Sequence, residues 1–217
     1  MSSQVWIHGG ANHFMGPPFP VFEGSKLVAR SAAMPADQSD PIIMAAVGYR
    51  MGGIGFMALP ELTGESPHKS SGNYGTLDQI FGLKWLKRNM HAFGATKDAR
   101  VVVMGESSGG YNIGMLLASP LAFGLFDGAV VQSAMYAYTW KRLAHAEKTG
   151  TACAAKVKCQ KENDPKGTLQ CMRNLTAREA YDCMPKNVGT AQIYLQDEIS
   201  ANIDGCVDFS SVLVNHR

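Results

Sequence analysis

The chain has no run of about 18 consecutive apolar residues, which leaves it without a predicted membrane-spanning helix. It is poor in charge, at 18% Asp, Glu, Lys and Arg. The net charge of +2 is too small a surplus to draw nucleic acid or an acidic membrane surface. Cysteine is absent before Cys153, and no pair is spaced C-x-x-C, so the pattern does not fit a zinc site. The opening, Met1 to Ile7, has neither the basic start nor the long apolar stretch of a secretory signal peptide. There is no internal repeat. What is left is 217 residues with 46% hydrophobic content, which suits one globular core in one large domain.

Inside that frame, strand signals alternate with helix signals. Val5–Ile7, Ile42–Val47, Val101–Met104 and Ala129–Val131 are short apolar runs. They are continuous and not alternating, as expected of strands buried on both faces of a parallel sheet. Leu77, Ile80, Phe81, Trp85, Leu86 and Met90 mark one apolar helical face, and Gly94 follows as a stop. A further helix is expected from Tyr111 to Ala118. This order predicts an α/β fold, a mostly parallel sheet flanked by helices. Residues 1–139 read as its core. Residues 140–217 are more polar and read as an insertion or lid-like region, with a capping box at Thr176-x-x-Glu179. Because Val5 already belongs to a core strand, the chain is expected to be part of a larger domain, with its sheet incomplete at both ends.

All five cysteines, Cys153, Cys159, Cys171, Cys183 and Cys206, fall in that last third. In a polar, loop-rich stretch they point to disulfides and an oxidising compartment, the odd count leaving one over. Spacing alone leaves the partner of Cys171 open between Cys153 and Cys159. Asn174-Leu-Thr176 is an N-glycosylation sequon, which fits secretion. Lys156, Lys158, Lys161 and Lys166 lie among Asn163, Asp164, Pro165 and Gly167 and read as a solvated loop.

The chemistry is concentrated in Arg100-Val-Val-Val-Met-Gly-Glu-Ser-Ser-Gly-Gly110. Its β-branched run enters Gly105-Glu106-Ser107-Ser108-Gly109, a G-x-S-x-G, and apolar residues at helical spacing follow. Strand, tight turn and helix in that order are the context of a nucleophile elbow, with Ser107 held out above the sheet. A second segment, His8-Gly9-Gly10-Ala11, follows the first strand. Glycines there would let backbone amides turn toward a developing oxyanion. Ala11 keeps its N–H but has less backbone freedom than glycine. Of the six histidines, His8 belongs to this loop and His13 lies near it. His91 ends a helix, His68 and His145 have polar surroundings, and His216 is terminal. Each reads as structural or solvated, and none as a general base.

Together these segments resemble the type B carboxylesterases, the family that holds cholinesterases, fungal lipases and the adhesion neuroligins. The matching residues run in family order from residue 4 to about 135. They include Val5 to Gly10, Tyr49-Arg50-Met51-Gly52, Gly72-Asn73-Tyr74-Gly75, Leu77-Asp78-Gln79, Gly105 to Gly110 and Gln132-Ser133. The tail matches more loosely. Cys171-Met-Arg-Asn resembles a small disulfide loop of fungal-type members, and Asp204-Gly205 resembles a segment that precedes the catalytic acid.

The resemblance implies an α/β-hydrolase fold with Ser107 as nucleophile and the amides of Gly10, Ala11 and Ser108 as oxyanion donors. It implies that Glu106 lines the floor of the site and that Ser133 is a buried serine supporting the catalytic acid. Asp78 and Arg100 match positions expected to serve structural salt bridges. No metal or organic cofactor is implied. The implied substrate is a small carboxylic ester or a lipid, and the implied setting is secreted or in the ER lumen. The family's catalytic glutamate and histidine would lie beyond Arg217, so this chain is expected to be inactive by itself. The alternatives are a non-catalytic, neuroligin-like binding protein and a non-functional remnant.

Overall fold

The computed structural model describes residues 2–17, 20–35, 37, 41–134, 141–184 and 202–203. In chain order its elements begin with β1 (Ser2–Ile7), α1 (Ser25–Ala33), β2 (Ile42–Val47), α2 (Gly52–Phe56), α3 (Pro60–Glu65) and α4 (Tyr74–Asn89). Next come β3 (Val101–Glu106), α5 (Ser108–Ala118), β4 (Gly128–Gln132) and β5 (Lys141–Arg142). The last are α6 (Leu143–Lys156), α7 (Pro165–Arg173), α8 (Ala177–Asp182) and β6 (Asn202–Ile203). They form two compact units. One comprises residues 1–10, 15–49 and 77–136, the other residues 11–14, 50–76 and 137–217.

The first unit is built on a parallel sheet in the order β2-β1-β3-β4. Its register sets Ile7 opposite both Val47 and Gly105, and Gly105 opposite Val131. The chain therefore leaves β1, β2 and β3 at one level along the same edge. Val5, Ile7, Val101 and Val103 of the two central strands are fully buried, and α5 covers β1, β3 and β4 with Ile113, Met115 and Leu116. Two-sided burial, expected for all four strands, is not met: β1 and β3 alternate buried with half-buried residues, and β2 and β4 stay largely half-exposed or exposed. They are the edges of the sheet among the described residues. An apolar run does not reveal whether its strand has one neighbour or two.

The predicted face of α4 needs a similar correction. Of its residues, Ile80, Leu86 and, just past the helix, Met90 are buried, together with Leu83, which is not among them, but Leu77, Phe81 and Trp85 are 37%, 64% and 46% exposed. The sequence pattern merged two adjacent rows of the helix surface, of which only one meets the core. Gly94, at φ 91°, ends the helical stretch as expected.

The second unit joins short helices at backbone distance. A Cβ on Gly53 would lie 2.1 Å from the Ala180 carbonyl oxygen, and one on Gly150 would lie 1.8 Å from that of Ala58. Helices α2 and α3 pack against α8 and α7 respectively. Two disulfides staple the unit. Cys159 pairs with Cys171, which settles that partner, and Cys153 pairs not with Cys171 but with Cys183. Cys206 lies outside the described residues. The capping box opens α8 as read: the Thr176 hydroxyl accepts from the Glu179 amide, and the Glu179 carboxylate accepts from the Thr176 amide at 2.8 Å. The lysine-bearing stretch is less of a loop than expected. Asp164 caps α7 by accepting from the Gly167 amide at 2.8 Å, and Pro165 occupies the first turn, so Lys166 and Gly167 are helical.

Candidate active site

Ser107 sits between β3 and α5 with φ 54° and ψ −125°, a backbone conformation that a residue with a side chain rarely adopts. The surrounding bonds over-determine it. Its amide donates to the Gln132 carbonyl at 2.9 Å, and its own carbonyl accepts from the Tyr111 amide at 3.1 Å. The two glycines of the motif are set by contact. A Cβ on Gly105 would come within 2.7 Å of the Gly109 backbone, and one on Gly109 within 2.1 Å of the Ile7 carbonyl oxygen. Helix α5 can thus start hard against β1 and β3 only with glycine at both places. The amides of Ser108, Gly109 and Gly110 form its first turn, where backbone N–H groups have no partner inside a helix. They gather a partial positive charge next to Ser107.

The loop after β1 closes on the same elbow. Gly9 lies so near that a Cβ there would meet the Glu106 carbonyl oxygen at 2.8 Å, its carboxylate Oε2 at 2.9 Å and the Ser107 Cβ at 3.3 Å. Gly10 follows at φ 109°, then Ala11 and Asn12 at φ 55° and 54°. The chain therefore takes three successive left-handed residues, and the alanine does so despite its Cβ. Of the predicted site residues, Gly10 and Ser108 are buried, while Ser107, Glu106 and Ala11 are half-buried. Ser133 follows β4 at φ 53° and is exposed, not buried as the resemblance implies. The reason is that β4 is an edge strand among the described residues.

His8 is 1% exposed. Its imidazole stacks on the Tyr49 ring at 4.4 Å between centroids, with Phe22 farther off at 6.2 Å. Its Nδ1 lies 2.8 Å from the Gly9 carbonyl oxygen. A carbonyl only accepts, so Nδ1 carries a proton and donates it to that bond. Burial depresses the His8 pKa below its ordinary 6.5, partly opposed by that bond to Gly9. His13 is buried in the second unit, its ring stacked on Tyr181 and its carbonyl accepting from the Tyr181 hydroxyl. His68, His91 and His145 are exposed, and His216 lies outside the described residues. Among the described residues, no histidine hydrogen-bonds to the Ser107 hydroxyl.

Tyr49 stands in one of the segments that carry the resemblance, but the sequence assigns it no role. It lies two positions past Val47, as Ser107 lies two past Gly105 and Gly9 two past Ile7. It is buried, and its hydroxyl donates to the His8 carbonyl at 2.8 Å. Its sequence signals are an aromatic residue just after an apolar run and its place in the Tyr49-Arg50-Met51-Gly52 segment.

A parallel sheet flanked by helices, with a strained serine between strand and helix and a glycine loop against it, defines an α/β-hydrolase fold. A solved carboxylesterase structure from Geobacillus stearothermophilus superposes with a TM-score of 0.75 at 27% identity, covering 95% of this chain and 40% of that one. The chain belongs to the carboxylesterase family, whose model matches residues 2–213. It is 33% identical over 160 residues to a fumonisin B1 esterase of Sphingopyxis macrogoltabida, covering 74% of this chain and 28% of the relative. It is 40% identical over 129 residues to a para-nitrobenzyl esterase of Bacillus subtilis, covering 59% and 24%. The chain thus spans only about a quarter of the length of these two relatives. Among the described residues, no helix is long and apolar enough to cross a membrane.

Proposed function

We propose that this chain carries the nucleophile and oxyanion half of a carboxylic-ester hydrolase. Ser107 Oγ attacks the ester carbonyl carbon as its proton passes to a histidine that lies outside the described residues. The amides of Gly10, Ala11 and Ser108 hold the oxyanion, the alcohol leaves, and water then releases the acid from the acyl-enzyme. Glu106 lines the floor beside the nucleophile, and Ser133 supports the catalytic acid once that edge is covered. The observation that carries this reading is the left-handed backbone at Ser107, held by Gly105 and Gly109 with Gly9 against it. The substrate class is a small carboxylic ester or a lipid, in line with the esterase relatives. Residues 1–139 form the core of a partial hydrolase domain and residues 140–217 its cysteine-bearing region. Two disulfides fit a secreted or ER-lumenal whole protein.

With no histidine bonded to it among the described residues, Ser107 is a weak nucleophile at neutral pH, so the described residues alone do not make an active esterase. The test is labelling by a fluorophosphonate in the presence of added imidazole, with Ser107→Ala as control. Slow labelling that rises with imidazole and vanishes in the variant is expected. No Ser107-dependent labelling at any imidazole concentration would contradict an assembled nucleophile. Fast labelling without imidazole would place the base inside this chain.

A further inference from the structure

The oxyanion loop and the nucleophile elbow come from different strands, and something must fix one against the other to within a fraction of an ångström. The sheet register does part of this but ends at Ile7 and Gly105 on the β1–β3 side. Beyond that level the chain leaves the ladder, and the donor amide of Gly10 lies three residues past it.

The peptide plane between Gly9 and Gly10 holds the Gly9 carbonyl and the Gly10 N–H pointing in opposite directions. The His8 imidazole holds that carbonyl. Whatever fixes the imidazole therefore aims the Gly10 N–H. Tyr49 fixes it twice, by stacking on the ring and by donating to the His8 carbonyl. The same hydroxyl is hydrogen-bonded by the side chains of Ser108 and Asn112, on the first turns of α5. A phenol has one proton to give and lone pairs to share, and here both capacities are used. Burial pushes the Tyr49 pKa far up, so the hydroxyl stays protonated and able to donate.

We propose that Tyr49 is a positioning residue that ties His8 to Ser108 and so sets the aim of the Gly10 amide relative to Ser107. This rests on the reading of Ser107 as nucleophile and Gly10 as an oxyanion donor. Tyr49 touches neither substrate nor reacting atoms. Its effect reaches the site through His8 on one side and Ser108 on the other.

The experiment is Tyr49→Phe in the full 217-residue chain, which keeps the stacked ring and removes only the hydroxyl. Two readouts are needed. In the first, amide NMR relaxation of the ¹⁵N-labelled chain should show Gly9 and Gly10 gaining motion, while Val5 and Val103 in the sheet stay rigid. In the second, fluorophosphonate labelling with imidazole should show a maximal rate about tenfold lower with the half-saturating probe concentration unchanged, the signature of a misaimed oxyanion donor. Unchanged relaxation at Gly9 and Gly10, or a loss of order spread evenly over the sheet, would overturn the proposal. So would an unchanged maximal rate in a chain whose wild type labels at Ser107. If the wild type does not label, the nucleophile reading fails, and the relaxation readout still decides whether Tyr49 orders the loop.

Discussion

The two units of this chain solve the same problem with different means added to close glycine contacts that both contain. In the first, order comes from backbone meeting backbone in a parallel sheet. Ile7, Gly105 and Gly109 approach so closely that no side chain fits between them, and the strain at Ser107 is the local consequence. In the second, α2, α3 and α8 are each five or six residues long, too short to hold themselves. Covalent staples and caps supply what length does not: two disulfides, the Asp164 cap and the Thr176–Glu179 box. The contrast teaches where each unit is fragile. The first tolerates loss of a surface bond but not an added methyl group. The second shares that intolerance at Gly53 and Gly150, where a Cβ would meet a backbone carbonyl, and depends on its disulfides as well.

The largest effect is expected at Gly109, where one substitution costs stability and abolishes labelling together. Gly109→Ala drives a Cβ into the Ile7 carbonyl, and neither backbone can move without breaking β1–β3 register. A loss of about 3 kcal/mol or more in chemical denaturation is expected, with loss of all Ser107-dependent labelling. Next come the disulfides. Opening Cys153–Cys183, which closes 30 residues, should cost about 4 kcal/mol, and opening Cys159–Cys171, which closes 12, about 3 kcal/mol. The comparison sharpens if proteolysis after Cys153→Ser with Cys183→Ser cuts within residues 141–184 while amide protection of β1 and β3 persists. Equal loss of protection in the sheet would erase the distinction between the units.

The smallest effect is a pH dependence confined to the first unit. Burial holds the folded pKa of His8 below 6.5, so the folded state favours the neutral ring more than the unfolded chain does. Near pH 6.5 and below, the unfolded chain binds the proton that the folded chain refuses. The stabilisation from neutral His8 is therefore complete above about pH 6.5 and is lost as pH falls toward the folded pKa. Thermal unfolding across this range should show the slope in the wild type and a shallower one in His8→Phe.

How much of this could be read from residues alone follows the same division. The four strands, the helix after the elbow and the capping box of α8 were legible because each rests on a local rule: an apolar run, a G-x-S-x-G, a Thr three residues before a Glu. The edges of the sheet were not, since Val130 and Val103 are the same residue in similar runs and differ only in what lies beside them. The Cys153–Cys183 bond was equally hidden, because spacing does not say which helices fold back on each other. The sequence gives Tyr49 no role because that role is to join two loops that the chain order keeps far apart.

The central claim is that the loop after β1 and the elbow after β3 form one oxyanion site. Its most direct test is a crystal structure of the chain after phosphonylation in imidazole. The account predicts a phosphorus bonded to Ser107 Oγ, with a phosphonyl oxygen about 3 Å from the amides of Gly10 and Ser108. A phosphonyl group turned away from both amides, or attached to any residue other than Ser107, would contradict it.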